Sequence, residues 1–351
     1  MAMNRRLRPD LASTLSPAHT IPPKPLRVTT MTLVRHTLGS ALMALGTLLL
    51  SACATENSPA ALEPPAQGET PTTTRGIPGV VADGLSVERV WTGQQAADGL
   101  ISEPDGTLLL PEQRADRISR FGADGTVTPY LEDTNEAGGI AFDAMGRLIS
   151  VERRRPQVRV LVPERRVLVD TYEGEPLQRL SDIVADQKGG VYFTEGANSA
   201  VYYLHPGGAV TRLARDIDGA NGIMLSPDER TLYVTNSEAG ILAFDVAPDG
   251  AITNRRPFVA PEGGQDGMAV DSAGRLYVAG RSGVQVFSPE GQSLGLIPVP
   301  RPTTTLAFAG HDKKTLYVIG RGNDGPGGDE GDARSMYRIS MIAEGFKGRA
   351  K

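Results

Sequence analysis

The sequence predicts an all-β protein, a six-bladed β-propeller with four-stranded antiparallel blades. Three observations predict it. One short apolar phrase recurs six times, and a second apolar run precedes each copy at hairpin distance. The 41 Gly and 26 Pro among 351 residues favour many turns over long helices.

The six copies align without gaps: GTLLLPE from Gly106, GRLISVE from Gly146, GGVYFTE from Gly189, RTLYVTN from Arg230, GRLYVAG from Gly274 and KTLYVIG from Lys314. Their third residues, Leu108, Leu148, Val191, Leu232, Leu276 and Leu316, lie 40, 43, 41, 44 and 40 residues apart. The runs LIS, IAF, IVA, IML, MAV and LAF come before them, so each repeat opens with a hairpin. A third run follows in each repeat, such as DRISRFG or GVQVFSP, and a fourth in several, such as TVTPYL or ITNRRPFV. Four strands in 40–45 residues make one propeller blade. LSVERVWTG near Val87 would complete the last blade; a solenoid or two separate β-domains are the alternatives. Asp105, Asp143, Asp186, Asp228 and Asp271 fall in the hairpin turns and read as structural.

Before the repeats, Met31 begins MTLVRHTLGSALMALGTLLLSAC: a basic start, a short apolar run, then small residues. That is the grammar of a signal peptide, and the run is short for a membrane span. The ending LSAC resembles a lipobox, which implies that Cys53 is lipidated and that the chain sits in a bacterial cell envelope. Ala54 after the cysteine points to the outer membrane, facing the periplasm. The domain reading is therefore 1–53 upstream extension and lipoprotein signal, 54–80 disordered Pro/Thr-rich tether, 81–345 propeller and 346–351 tail, with Met1 and Met31 as competing starts. Membrane contact is expected through the lipid anchor only.

Composition excludes several functions. The net charge of −5 is spread over mixed acidic and basic residues, which argues against nucleic acid as a partner. One cysteine permits neither an internal disulfide nor a thiolate metal cluster. Only His205 and His311 of the four histidines lie in the repeats, both in inter-strand turns expected to be exposed, and no G-x-S-x-G elbow or P-loop occurs. GNDGPGGDEGD at 322–332 reads as a surface loop rather than a calcium-binding repeat.

Comparing equivalent positions of the repeat isolates one ring. Ten or eleven residues before each third-position marker stand Asp98, Gly138, Ser181, Asn221, Asp266 and Thr305. The innermost strand of a blade lines the channel, so its first residue faces the channel mouth. Asp98, Asn221, Asp266 and Ser181 offer only oxygen donors, which suit calcium better than zinc. The competing reading is that Asp-Gly and Asn-Gly are merely turns that open strands.

ANGIMLSPDERTLYVTNS (220–237) and QDGMAVDSAGRLYVAG (265–280) resemble hallmark segments of the senescence-marker-protein/gluconolactonase/luciferin-regenerating-enzyme family. The resemblance runs from Val87 to Ile342. It implies a six-bladed propeller with a divalent metal, most often calcium, in the channel. Asn221 and Asp266 match the family's metal ligands. Asp98 stands where a glutamate is usual, and Ser181 replaces an asparagine near metal or substrate. Asp182 should point away from the channel, and Arg179 resembles a substrate-contacting arginine. The implied activity is hydrolysis of a lactone or small ester, with Asp266 as general base. A non-catalytic binding propeller of the envelope is the alternative, and a phosphotriester is a further substrate class.

Overall fold

The computed structural model describes residues 71–93, 96–122, 124–237, 240–322 and 333–348. Cys53 and the signal segment lie outside them, as does all but the first residue of 322–332. The described residues form six four-stranded antiparallel sheets, five of them laid down in chain order from the inside outward, with one extra two-stranded hairpin. Blade 1 opens with Ile101–Ser102, blade 2 with Ala137–Phe142 and blade 3 with Leu180–Ala185. Blade 4 opens with Ile223–Leu225, blade 5 with Met268–Val270 and blade 6 with Thr303–Ala309. From blade 2 to blade 6 the first strands of neighbouring blades touch; that of blade 2 touches Leu108–Glu112 of blade 1, and that of blade 6 touches the first strand of blade 1, closing the ring.

Each blade is sandwiched between two others, so both faces of its inner strands are buried. This is why the repeats read as unbroken apolar runs rather than alternating ones. Leu108–Glu112, Leu148–Glu152 and Val191–Glu195 are buried at every position. The outermost strands, such as Val127–Glu132, are mostly exposed or half-buried. The core is correspondingly divided into six apolar clusters, one at each blade–blade interface.

The phrase often ends in a buried carboxylate, and each has a local partner. Glu112 takes Arg117 and Ser119, Glu152 takes Asn135 and Gln157, and Glu195 takes the Gln178 amide and the Tyr202 hydroxyl. The turn aspartates behave as read. Asp143 Oδ1 accepts from the Met145 and Arg147 amides, and Asp271 Oδ1 from those of Ala273 and Arg275. His311 is exposed, whereas His205 is half-buried with its ring edge-on to Tyr203.

The last blade is completed from the other end of the chain. Glu88–Gly93 pairs antiparallel with Arg334–Ser340 as the outer strand of blade 6. Residues 71–80, the end of the segment read as a tether, also pack here: Ile77 and Val80 are buried in the cluster between blades 5 and 6. Phe346, in the segment read as the tail, packs against the cluster between blades 4 and 5.

The glycine that follows four of the six ring positions answers to packing rather than to turn geometry alone. A Cβ on Gly222 would stand 2.4 Å from the carbonyl oxygen of Asp266 in the next blade, and one on Gly99 would stand 2.5 Å from that of Gly138. Blades meet backbone to backbone at the channel. Gly222→Ala should therefore cost about 1–3 kcal/mol by overpacking, seen as a lowered melting temperature. Gly207→Ala, where a Cβ meets nothing within 4 Å, is the matched control. Equal melting temperatures for the two variants would remove the packing argument.

Candidate functional site

The ring predicted from the repeats is assembled. Asp98, Ser181, Asn221, Asp266 and Thr305, with Gly139, surround one small space in the channel, about 10 Å³ and thus room for a single water or ion. Above it opens a cavity of about 330 Å³ whose floor includes Asp98, Ser181, Asn221 and Asp266. β-Bulges re-aim the backbone at this level, falling between Ala137 and Ile140, Leu180 and Ile183, and Thr303 and Thr305. A larger cavity of about 600 Å³ lies at the turns of blades 3 and 4. Its Asp186 and Asp228 are occupied by turn amides.

Each ring residue is held by its neighbours. Asn221 Nδ2 donates to Asp266 Oδ1 at 2.7 Å, and the Thr194 hydroxyl donates to the Asn221 carbonyl at 2.6 Å. Asp98 Oδ1 accepts from the Gly99 amide, and its Oδ2 lies 3.2 Å from Arg153 Nη2. Asp266 Oδ2 lies 3.6 Å from Arg321 Nη2. Asp182 accepts from its neighbour's amide, Ile183, and from Ile223 of the next blade, so both its oxygens are tied to backbone.

Burial dominates the electrostatics. It pushes the Asp266 carboxyl up to about 8, with repulsion from Asp98 adding and Arg321 opposing. Asp98 is raised too, by burial and by Asp182, against the pull of Arg153. At neutral pH Asp266 without a cation retains a proton that an exposed carboxyl would have lost.

Several cavity residues escaped the reading of the sequence, Arg334 and three others among them. Gln113, Arg153 and Arg321 all line the wall. Arg153 enters because blade 2 has no side chain at the ring: a Cβ on Gly138 would stand 3.0 Å from Arg153 Nε. Arg179, read from the sequence, does line the cavity, and its backbone adopts a positive φ of 45° at the rim.

The donor set fits a divalent cation. Two half-buried carboxylates, an amide and a hydroxyl surround an enclosed space that admits one ion. The two arginine contacts are single and long, not the bidentate fork that would fill the carboxylates. Among the described residues no three His, Cys, Asp or Glu side chains converge. A cation here would thus depend on Asn221 and Ser181 as well as the two aspartates.

Comparisons with known proteins agree with this architecture. The chain is 30% identical to a pentonolactonase of Haloferax volcanii over 283 residues, covering 74% of this chain and 96% of that one. It is 25% identical to a gluconolactonase of Zymomonas mobilis, covering 66% and 78%. The solved structure of a gluconolactonase from Xanthomonas campestris superposes with a TM-score of 0.66 at 29% identity, over 80% of this chain and 98% of that one. Residues 87–320, from the closing strand to the end of the sixth phrase, match the SMP-30/gluconolactonase/LRE-like region, and the chain belongs to that family.

Proposed function

We propose that this protein hydrolyses a lactone or small ester at the mouth of its channel, with a divalent cation, calcium by its oxygen-only donors, held by Asp98, Asn221 and Asp266 with Ser181 beside them. The observation that carries the reading is the convergence of two half-buried carboxylates, with Asp98 raising the proton affinity of Asp266, on the floor of a cavity of about 330 Å³. The lactonase names of the two relatives above support it.

A bound cation would supply Lewis acidity toward the ester carbonyl and its oxyanion. The side chains do the rest. Asn221 fixes Asp266 through Oδ1, leaving Oδ2 toward the channel. Asp266 accepts a proton from the attacking water as the water oxygen bonds to the acyl carbon. The acyl–oxygen bond of the ring then breaks, and the departing alkoxide takes that proton back, giving an open hydroxy acid. A bound cation would keep Asp266 ionised, and a carboxylate of raised proton affinity is then a better base than a solvated one.

A binding propeller without turnover is the second reading. It is favoured by the two guanidinium groups that already face Asp98 and Asp266. One experiment separates them: hydrolysis of D-glucono-1,5-lactone by purified protein, before and after EDTA and after calcium is restored. The expected result is loss with chelator and recovery with calcium. Turnover unaffected by chelator would remove the cation, and no turnover on any lactone would remove the enzyme.

A further inference from the structure

Beyond the ring, the cavity has a second chemical character. Among the described residues its walls carry Arg153, Arg179 and Arg321 against two carboxylates, Asp98 and Asp266, with Arg334 engaged in an interaction of its own. A water-poor cleft with an excess of one sign focuses its field on whatever enters. We propose that the lactone this cavity takes carries a second, ionised group, a carboxylate or a phosphate, and that Arg179 with the Arg153–Gln113 pair receives it. The proposal rests on the lactonase reading for the reaction, though not for the anion site itself.

Three observations point there. First, among the described residues Arg179 makes no ion pair: it lines the cavity and is exposed, while its main-chain carbonyl accepts from the Gly196 amide. Second, Gln113 is only 8% exposed, and its Oε1 accepts from Arg153 Nη1 at 3.0 Å. Its Nε2 is buried with no hydrogen-bond partner among the described residues. A buried donor left open in a cavity wall is an acceptor site waiting for a ligand oxygen. Third, Arg153 is already oriented by Gln113 on one nitrogen and by Asp98 on another. Planar guanidinium groups match carboxylate and phosphate oxygens better than any other side chain.

Neutral sugar lactones offer hydroxyls to such a wall, but no charge to complete it. A site built to bond a charged group rejects analogues that lack it, because its own donors are then left unpaired. The expected preference is at least about tenfold.

The test compares three lactones at fixed calcium: neutral D-glucono-1,5-lactone, D-glucaro-1,4-lactone with a free carboxylate, and 6-phospho-D-glucono-1,5-lactone. The full chain should show a kcat/KM at least about tenfold higher for one of the charged pair, and whichever wins names the source. In Arg179→Gln the ratio of charged to neutral kcat/KM should collapse toward one, and Arg179→Lys should keep part of it. Binding separates this proposal from the reaction. Calorimetry on Asp266→Asn should find glucarate or 6-phosphogluconate bound at least about tenfold more tightly than gluconate, with the difference shrinking at high salt. If no lactone turns over but that preference persists, the anion site stands and the lactonase reading falls. Equal binding of the three acids, together with equal kcat/KM for the three lactones, overturns the proposal.

Discussion

Asp266→Asn is expected to lower lactone hydrolysis by about 10²–10⁴-fold, the usual worth of a positioned general base, while making the cation-free protein more heat-stable above neutral pH. The two effects come from one side chain. Asparagine keeps the acceptor for Asn221 Nδ2 and nearly the same volume, so the blade 4–blade 5 contact survives. It loses the group that takes the water's proton. Stability moves the other way because Asp266 is raised from 3.8 to about 8 in the folded state. Between those values the folded protein holds a proton that the unfolded chain releases. A raised carboxyl therefore gives its stabilisation in full below about pH 4, and loses it as pH rises through about 8. Wild type without cation should soften across that window relative to Asp266→Asn, and calcium should restore it by pairing with both carboxylates. Parallel melting curves at pH 5, 7 and 9, with EDTA and with calcium, are the measurement. Identical pH slopes for wild type and variant would show that burial does not hold the proton on Asp266, and retained turnover would remove Asp266 as the base.

The ring was legible in the sequence because a propeller writes one structural position six times, and comparison of copies separates a channel residue from a turn residue without any structure. Asp98, Ser181, Asn221 and Asp266 came out together, and the fold places them around one space. The arginines were legible by the same device but lay one residue past the end of the phrase. The position after each seven-residue copy holds Gln113, Arg153, Gly196, Ser237, Arg281 and Arg321. Strand two of each blade returns to the channel mouth there, so this is a second ring stacked on the first, and Gln113, Arg153 and Arg321 are its cavity members. What no copy could show is that Gly138 makes room for Arg153, because that is a relation between two positions and not a property of either. Composition misled at 71–80 for a related reason. A Pro- and Thr-rich stretch reads as unfolded, but Ile77 and Val80 find a ready apolar surface between blades 5 and 6.

Deleting the chain through Gly93 should abolish cooperative folding, compared with a chain that begins at Pro71. The loss removes the outer strand of blade 6 together with Ile77, Val80, Val81, Val87 and Val90, each at most 7% exposed. At about 1.5–3 kcal/mol per buried aliphatic side chain, the gross loss rivals the total stability of about 5–15 kcal/mol expected of a domain. Arg334–Ser340 would also become a bare edge strand, so aggregation should accompany unfolding. The consequence for function is more specific than instability. Gly93 pairs with Arg334, and Arg334 pairs with Arg321, across the channel end of blade 6. The closing strand thus braces the two arginines that form one wall of the cavity. A milder lesion, Val90→Ala, should leave the ring folded with a lowered melting temperature and weaken binding of the charged product more than that of gluconate. Equal weakening for both acids would mean that closure holds the propeller together without shaping its mouth.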